Sequence, residues 1–365
     1  MERFPLGFTT WNRGFSWIRL KARLRNTVNQ IGKCYSASTR KAQSIGNMAT
    51  KKKLIFQRPI GLPEPYYEQA LGAAYLGDSL DLMRELGPQS VNLILTSPPF
   101  ALTRKKEYGN ASADEYVDWF MPFAKEFRRL LTKDGSLVVD LGGAYLPGYP
   151  VRTIYQFELL VRLCKELGFY LAQEFYHYNP ARLPTPAEWV TVRRIRVKDS
   201  VNVVWWLSAT AFPQADNRRV LVEYSDSMKK LLTNGYKPAL RPSGHDISTK
   251  FTKDNRGAIP SNVLTLANTE SNSAYLRRCK EARIKPHPAR FPQAFAKFFI
   301  EFLTKQGELV LDPFAGSNTT GYVAERLRRK WLAFEIDENY LRGSRYRFEE
   351  VNDLFSMTVR HAPTD

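Results

Sequence analysis

Residues 308–326 read Glu-Leu-Val-Leu-Asp-Pro-Phe-Ala-Gly-Ser-Asn-Thr-Thr-Gly-Tyr-Val-Ala-Glu-Arg. The apolar run Leu309–Leu311 predicts a strand, Asp312 and Pro313 end it, Gly316 sits in a turn, and Asn318/Thr319 open a helix. A junction this tight brings a ligand against backbone N–H groups and the positive end of a helix. The turn lacks the full G-x-G-x-x-G pattern, so its glycine alone says little. More weight comes from Glu335, 23 positions beyond Asp312, which ends the next apolar run, Lys-Trp-Leu-Ala-Phe-Glu. An acid at the tip of the following strand is where open α/β folds hold the ribose hydroxyls of a nucleoside cofactor. A solvated carboxylate at a strand end is the plain alternative, and the junction before it weighs against that.

A second strand end is as unusual. Val-Asn-Leu-Ile-Leu-Thr (91–96) runs into Ser97-Pro98-Pro99-Phe100. One proline suffices to end a strand, since it lacks an N–H for the ladder and restricts the residue before it. Two in a row fix an extended backbone whose carbonyls have no local partner, with a hydroxyl on one side and an aromatic ring on the other. Such a turn can hold a small planar polar group.

Between these motifs, strands and helices alternate, which argues for an α/β fold. Strands are expected at Ser90–Thr96, Ser136–Leu141, Tyr170–Tyr176, Asn202–Leu207, Glu308–Leu311 and Trp331–Glu335, mostly continuous apolar runs of the kind a parallel sheet buries on both faces. Helices are expected at Asp114–Leu131, after an Asn110/Ser112 capping region, and at Thr153–Leu167 and Gln293–Leu303. In a doubly wound sheet the carboxyl ends of the strands share one rim, so the two motifs can meet there.

The composition suits a globular chain of 365 residues, with 54 Lys+Arg against 36 Asp+Glu, a net charge of +18. An excess that large favours a polyanionic partner, nucleic acid or an anionic membrane surface. No apolar stretch has the length of a transmembrane helix. Cys34, Cys164 and Cys279 are too scattered for a disulfide framework or a zinc site, and no metal is indicated.

Residues 1–53 carry 12 Lys+Arg and a single acid, Glu2. This segment is read as a basic extension: a flexible arm, a stretch upstream of a start at Met48, or a targeting peptide. Residues 213–286, rich in Asn, Ser, Gly and Pro, hold 14 Lys+Arg against 7 Asp+Glu and break the α/β rhythm, as a solvated insertion or a polyanion-facing module would.

With Ser-Pro-Pro-Phe after an apolar strand and Asp-Pro-Phe-Ala-Gly-Ser downstream, the chain resembles the amino-methylating DNA methyltransferases. The resemblance is to their beta group, in particular the cytosine-N4 enzymes of type II restriction-modification systems, and covers roughly residues 70–350. It implies a Rossmann-like S-adenosylmethionine-dependent methyltransferase fold in circularly permuted motif order. Residues 54–212 would be the catalytic part, 213–286 an inserted target-recognition region, and 287–365 the cofactor part. Gly77-Asp78-Ser79-Leu80 resembles the acidic cofactor motif. Lys285–Pro292, which includes Phe291, resembles the segment leading to the helix beside the methionine end.

By that resemblance Ser97, Pro98, Pro99 and Phe100 are catalytic. The serine hydroxyl and the Pro98 carbonyl would accept hydrogen bonds from the target amine while Phe100 stacks on the base. Asp312, Phe314, Gly316 and Ser317 would surround the methionine, Glu335 the ribose, and Asp78 the adenosyl or amino end. Double-stranded DNA is the implied substrate and a cognate restriction endonuclease the genetic partner, in a bacterial cytoplasm at the nucleoid. Arg104, Lys105 and Lys106 are candidate phosphate contacts or a solvated loop, and Arg193, Arg194, Arg196 and Lys198 fall in the same class. His245 is a candidate base contact or a polar loop residue. Adenine-N6 methylation is the nearest rival, its usual motif being Asp-Pro-Pro-Tyr, so Ser97 and Phe100 tip the choice toward cytosine. Cytosine-C5 chemistry needs a thiolate, and no cysteine here follows a proline in an active-site turn. A DNA-binding protein with a vestigial methyltransferase core, or an RNA methyltransferase, would keep the basic surface.

Overall fold

A computed structural model of the chain describes residues 56–101, 111–235, 253–267, 273–290 and 292–349. Its centre is a nine-stranded sheet. In chain order the strands are β1 (Tyr67–Glu68), β2 (Gly72–Leu76), β3 (Val91–Thr96), β4 (Leu131–Leu141), β5 (Tyr170–Tyr178), β6 (Val201–Ser208), β7 (Val263–Thr265), β8 (Leu309–Asp312) and β9 (Lys330–Glu335). They lie side by side as β1-β2-β9-β8-β3-β4-β6-β5-β7. The five strands from β2 to β4 are parallel.

The sheet is mixed rather than wholly parallel. β6 runs antiparallel to both β4 and β5 although Val204, Trp205, Trp206 and Leu207 are all buried. An apolar run reports burial on two faces, not direction. β2 had no strand signal because Gly72, Ala73 and Ala74 have weak strand preference. They are small for a packing reason: a Cβ at Gly72 would stand 2.2 Å from the Trp331 carbonyl oxygen.

Side chains of the central strands alternate between two cores. Ile94, Leu332 and Phe334 face helices α1 (Ser79–Arg84), α2 (Tyr116–Leu130) and α3 (Tyr155–Lys165). Leu93, Leu95, Trp331 and Ala333 face the opposite layer. Helices there include those at Gln293–Leu303 and Thr319–Arg326; with α4 (Asp226–Asn234) and α5 (Ala274–Glu281) preceding them, they are α6 and α7. Two further helices, α8 (Glu338–Ser344) and α9 (Tyr346–Glu349), follow β9. The crossover from β3 to β4 thus uses a helix on one face, and that from β8 to β9 a helix on the other. The winding reverses between β3 and β8, and the carboxyl ends of these two neighbours flank the crevice such a reversal leaves.

Helix α2 begins at Tyr116, two residues later than expected, because the Ser112 hydroxyl bonds the Glu115 carboxylate instead of capping the first turn. Within 213–286, β7 pairs with β5 and joins the central sheet. Arg219 donates to the Thr304 and Phe302 carbonyls at the end of α6, so that side chain serves packing.

Candidate functional site

The turn after β8 is built by polar brackets below and an open backbone above. Asn318 caps α7 from a left-handed conformation (φ 51°), its Oδ1 accepting from the Gly321 N–H at 2.9 Å, while its Nδ2 donates to Tyr67 Oη. Gly316 is left-handed as well (φ 51°), and a Cβ there would lie 3.2 Å from the His287 ring. The Gly316 N–H donates to Glu335 Oε2 at 2.6 Å and the Asp337 N–H to Oε1 at 2.9 Å, which fixes the carboxylate at the tip of β9. Burial pushes the Glu335 carboxyl up from its ordinary pKa, and those amides oppose the shift.

Asp312 lies beneath the turn and does not line the cavity described below, although the family resemblance puts it beside the methionine. Its Oδ1 accepts from the Thr96 hydroxyl at 2.9 Å and from the Phe314 N–H at 3.2 Å, and its Oδ2 from the Thr320 hydroxyl at 2.6 Å. One buried carboxylate therefore ties the end of β3, the end of β8 and the first turn of α7 together.

Burial pushes the Asp312 carboxyl up to about 6. The folded protein therefore holds a proton there that the unfolded chain releases near the ordinary value of 3.8, and this group's contribution to stability falls as pH rises from about 4 to about 6. A two-unit shift is about 3 kcal/mol at most. Asp312→Asn is expected to remove that decline; urea denaturation of both proteins across this range reads it as a converging pair of stability curves.

Above the bracket opens a cavity of about 620 Å³, into which both motifs face. Ser97, Pro98, Pro99 and Phe100 line one side; Phe314, Gly316, Ser317 and Glu335 line the other, with Asp78 at the edge. Asp78 caps α1, accepting from the Leu80 N–H at 2.7 Å. The Phe100 ring rests over the end of β4, where a Cβ on Gly142 would stand 2.5 Å from it. Trp119 and Phe123 from α2 complete an aromatic wall with Phe314, at ring distances of 5.9 and 5.1 Å. Ser317 is held from behind by the buried Arg347, which donates to its carbonyl at 2.7 Å and its hydroxyl at 3.0 Å.

The Ser97 hydroxyl donates to the Asp140 carbonyl at 3.3 Å. Its one proton is thereby committed, and the oxygen presents lone pairs to whatever enters. The Asp140 side chain is buried and also reaches the cavity; among the described residues its Oδ1 has no hydrogen-bond partner, and its Oδ2 lies 3.8 Å from His177 Nδ1.

Several lining residues carried no signal in the sequence. His177, Asn179, Arg182 and Asn202 come from the exit of β5 and the entry of β6, which register places on the same rim as β3 and β8. His287 and Arg290 lie within the stretch 285–292, where a motif was visible but the individual roles were not. Burial lowers the His287 pKa to about 4, so the imidazole is neutral near pH 7. Phe291, Arg104, Lys105, Lys106 and His245 lie outside the described residues. Of the basic run after β5, Arg193 pairs with Glu188 at 2.7 Å and stacks on Trp189, and Arg196 stacks on Tyr145. Among the described residues no group of three or more His, Cys, Asp and Glu could hold a metal ion, and no helix is long and apolar enough to cross a membrane.

Comparison with known proteins agrees with this geometry. Residues 91–345 match the DNA methylase family model N6_N4_Mtase. The chain is 52% identical over 312 residues to the type II methyltransferase M.PvuII of Proteus hauseri, covering 83% of this chain and 93% of that protein. It is 25% identical over 286 residues to the DNA adenine methyltransferase YhdJ of Escherichia coli (strain K12), covering 75% and 84%. A solved structure of PvuII DNA methyltransferase, described as cytosine-N4-specific, aligns with a TM-score of 0.64 at 45% identity, over 80% of this chain and 94% of that one. A glycine turn and a Ser-Pro-Pro-Phe turn opening on one cavity, and a family match over most of the length, lead to one conclusion: the chain belongs to the DNA methylase family.

Proposed function

We propose that the protein transfers a methyl group from S-adenosylmethionine to the exocyclic N4 amine of a cytosine flipped out of double-stranded DNA. The observation that carries this reading is the Ser97 hydroxyl, turned by the Asp140 carbonyl so that its lone pairs face the cavity it shares with Gly316 and Glu335.

The residues present fit that cofactor. Glu335 spends one lone pair of each oxygen on a backbone amide and keeps the others toward the cavity, as a pair of ribose hydroxyls requires. Phe314, Trp119 and Phe123 offer an apolar wall, and Asp78 and Ser317 offer polar ends. When bound, S-adenosylmethionine supplies an electrophilic methyl on a sulfonium.

The amine of cytosine is a poor nucleophile because its lone pair is delocalised into the ring. Acceptors at Ser97 Oγ and the Pro98 carbonyl draw its N–H bonds out of the ring plane and localise that pair. Phe100 stacks on the ring, and the two prolines hold the acceptors in place before the base arrives, which is where such a site gains its rate. Asp140, with one carboxylate oxygen unpartnered in the cavity wall, offers an acceptor for the proton the amine then gives up.

A paired base cannot reach this cavity, so the target must leave the stack. The net charge of +18 supplies phosphate attraction, with Arg104, Lys105 and Lys106 as contacts and residues 213–286, including His245, as the reading surface. A cognate restriction endonuclease and a bacterial cytoplasmic, nucleoid-bound setting complete the reading. Cytosine is favoured over adenine by the 52% identity to M.PvuII against 25% to an adenine enzyme.

Incubation of plasmid DNA with the protein and S-adenosylmethionine, followed by digestion to nucleosides, is expected to yield N4-methyldeoxycytidine. N6-methyldeoxyadenosine alone would overturn the choice of base, and no label in DNA would return the protein to a binding role. Sequencing of the modified plasmid then maps the site.

A further inference from the structure

The sequence puts the choice between cytosine and adenine on Ser97 and Phe100. The amine they would address is common to both bases. What distinguishes cytosine on its Watson–Crick edge is the carbonyl O2, where adenine presents only C–H, so a cytosine site needs a donor on the far side of the ring from the amine.

Arg182 is the candidate for that donor. It lines the cavity together with Ser97 and also lines a second, smaller cavity of about 220 Å³, so that it stands, with Asn202, between the two. Its Nη1 donates to Asn202 Oδ1 at 2.9 Å, which fixes the plane of the group. Among the described residues that is the one hydrogen bond of the guanidinium, which forms no ion pair; the Arg182 backbone meanwhile donates to the Asn179 carbonyl and accepts from Lys198 Nζ. The remaining N–H groups are free for a ligand. Burial works against its charge while Asp140 supports it, as expected of a cation set into a site rather than onto a surface.

The sheet sets the spacing. Ser97 follows β3, Asp140 is the penultimate residue of β4, and Asn202 is the second of β6, three adjacent strands on one rim. Two strand spacings are about 9.6 Å. Two hydrogen bonds of about 2.9 Å each plus the width of a pyrimidine ring come to about the same.

We infer that Arg182, oriented by Asn202, is the specificity-determining residue that donates to O2 of the flipped cytosine and so rejects adenine. This rests on the methyltransferase reading given above. A half-buried guanidinium left unpaired by the wrong base carries a penalty, whereas an amine-side contact does not discriminate.

The test uses duplexes built on the mapped site. Their target is either cytosine or its 2-aminopyridine C-nucleoside analogue, which keeps the amine and the adjacent ring nitrogen but has C–H in place of the carbonyl. Arg182→Met, which preserves the length of the side chain, is expected to lower kcat/KM on cytosine by about 10- to 100-fold, the worth of a charged hydrogen bond, and to change the analogue by less than about threefold. The wild-type preference for cytosine therefore collapses in the variant. Equal losses on both substrates would make Arg182 a phosphate contact or a scaffold residue and overturn the inference. If the variant does not fold, the wild-type enzyme decides: methylation of the analogue within about threefold of cytosine shows that O2 is not read. A wild-type enzyme that makes no N4-methylcytosine at all would instead defeat the underlying reading.

Discussion

Replacing Ser97 by alanine is expected to lower kcat by about 10²- to 10³-fold, the size of effect seen when one preorganised polar group is removed from a reacting centre. The reason lies in the direction of one bond. Because the hydroxyl gives its proton to the Asp140 carbonyl, the oxygen can only accept from the amine. Alanine leaves the amine with a single acceptor at Pro98 and its lone pair largely in the ring. Little else should change: the lost bond is 3.3 Å long and partly exposed, so the stability cost is below about 1 kcal/mol. Cofactor affinity, read by calorimetry, is expected to stay within about threefold, since Ser97 meets the base rather than the ribose. A variant that loses cofactor affinity as much as turnover would sink this assignment.

Glu335→Ala is expected to do the reverse. A buried carboxylate that accepts from two ribose hydroxyls is worth one to two decades of affinity, so the dissociation constant for S-adenosylmethionine should rise about 10- to 100-fold. At saturating cofactor, kcat should remain within a few-fold. Part of the loss comes through the protein, because the Gly316 and Asp337 N–H groups lose their common acceptor and the turn after β8 loosens. Collapse of kcat with unchanged affinity would place Glu335 in the chemistry instead.

The two turns were legible because each is a local event: an apolar run broken by residues with fixed backbone preferences. Their meeting was legible because parallel strands of an α/β sheet end on one rim. What stayed hidden depends on non-local geometry. Asn179 and Arg182 belong to a connection with no periodic pattern, and only the pairing of His177 with Asn202 and of Leu141 with Val203 brings it over the site. Asp312 shows a different limit. Its motif locates the turn, but whether the carboxylate points up to a ligand or down to Thr96 and Thr320 is decided by packing. β2 escaped notice because its small residues answer to the bulk of Trp331, 257 to 259 positions later in the chain.

The strand order has a consequence for how the molecule is made. β8 and β9, near the end of the chain, lie between β2 and β3, which are completed more than 200 residues earlier. Until they arrive, a growing chain carries a slot with an unpaired edge on each side, one of them the apolar run Val91–Leu95. Such edges invite association with other chains. The Asn92 side chain accepts the Leu309 N–H at 3.0 Å and Thr96 meets Asp312 at 2.9 Å, so side chains at both ends of β8 pin its register against β3 in the folded sheet. The last-synthesised strands are the keystone, and the rim on which methyl transfer depends exists only once they are seated.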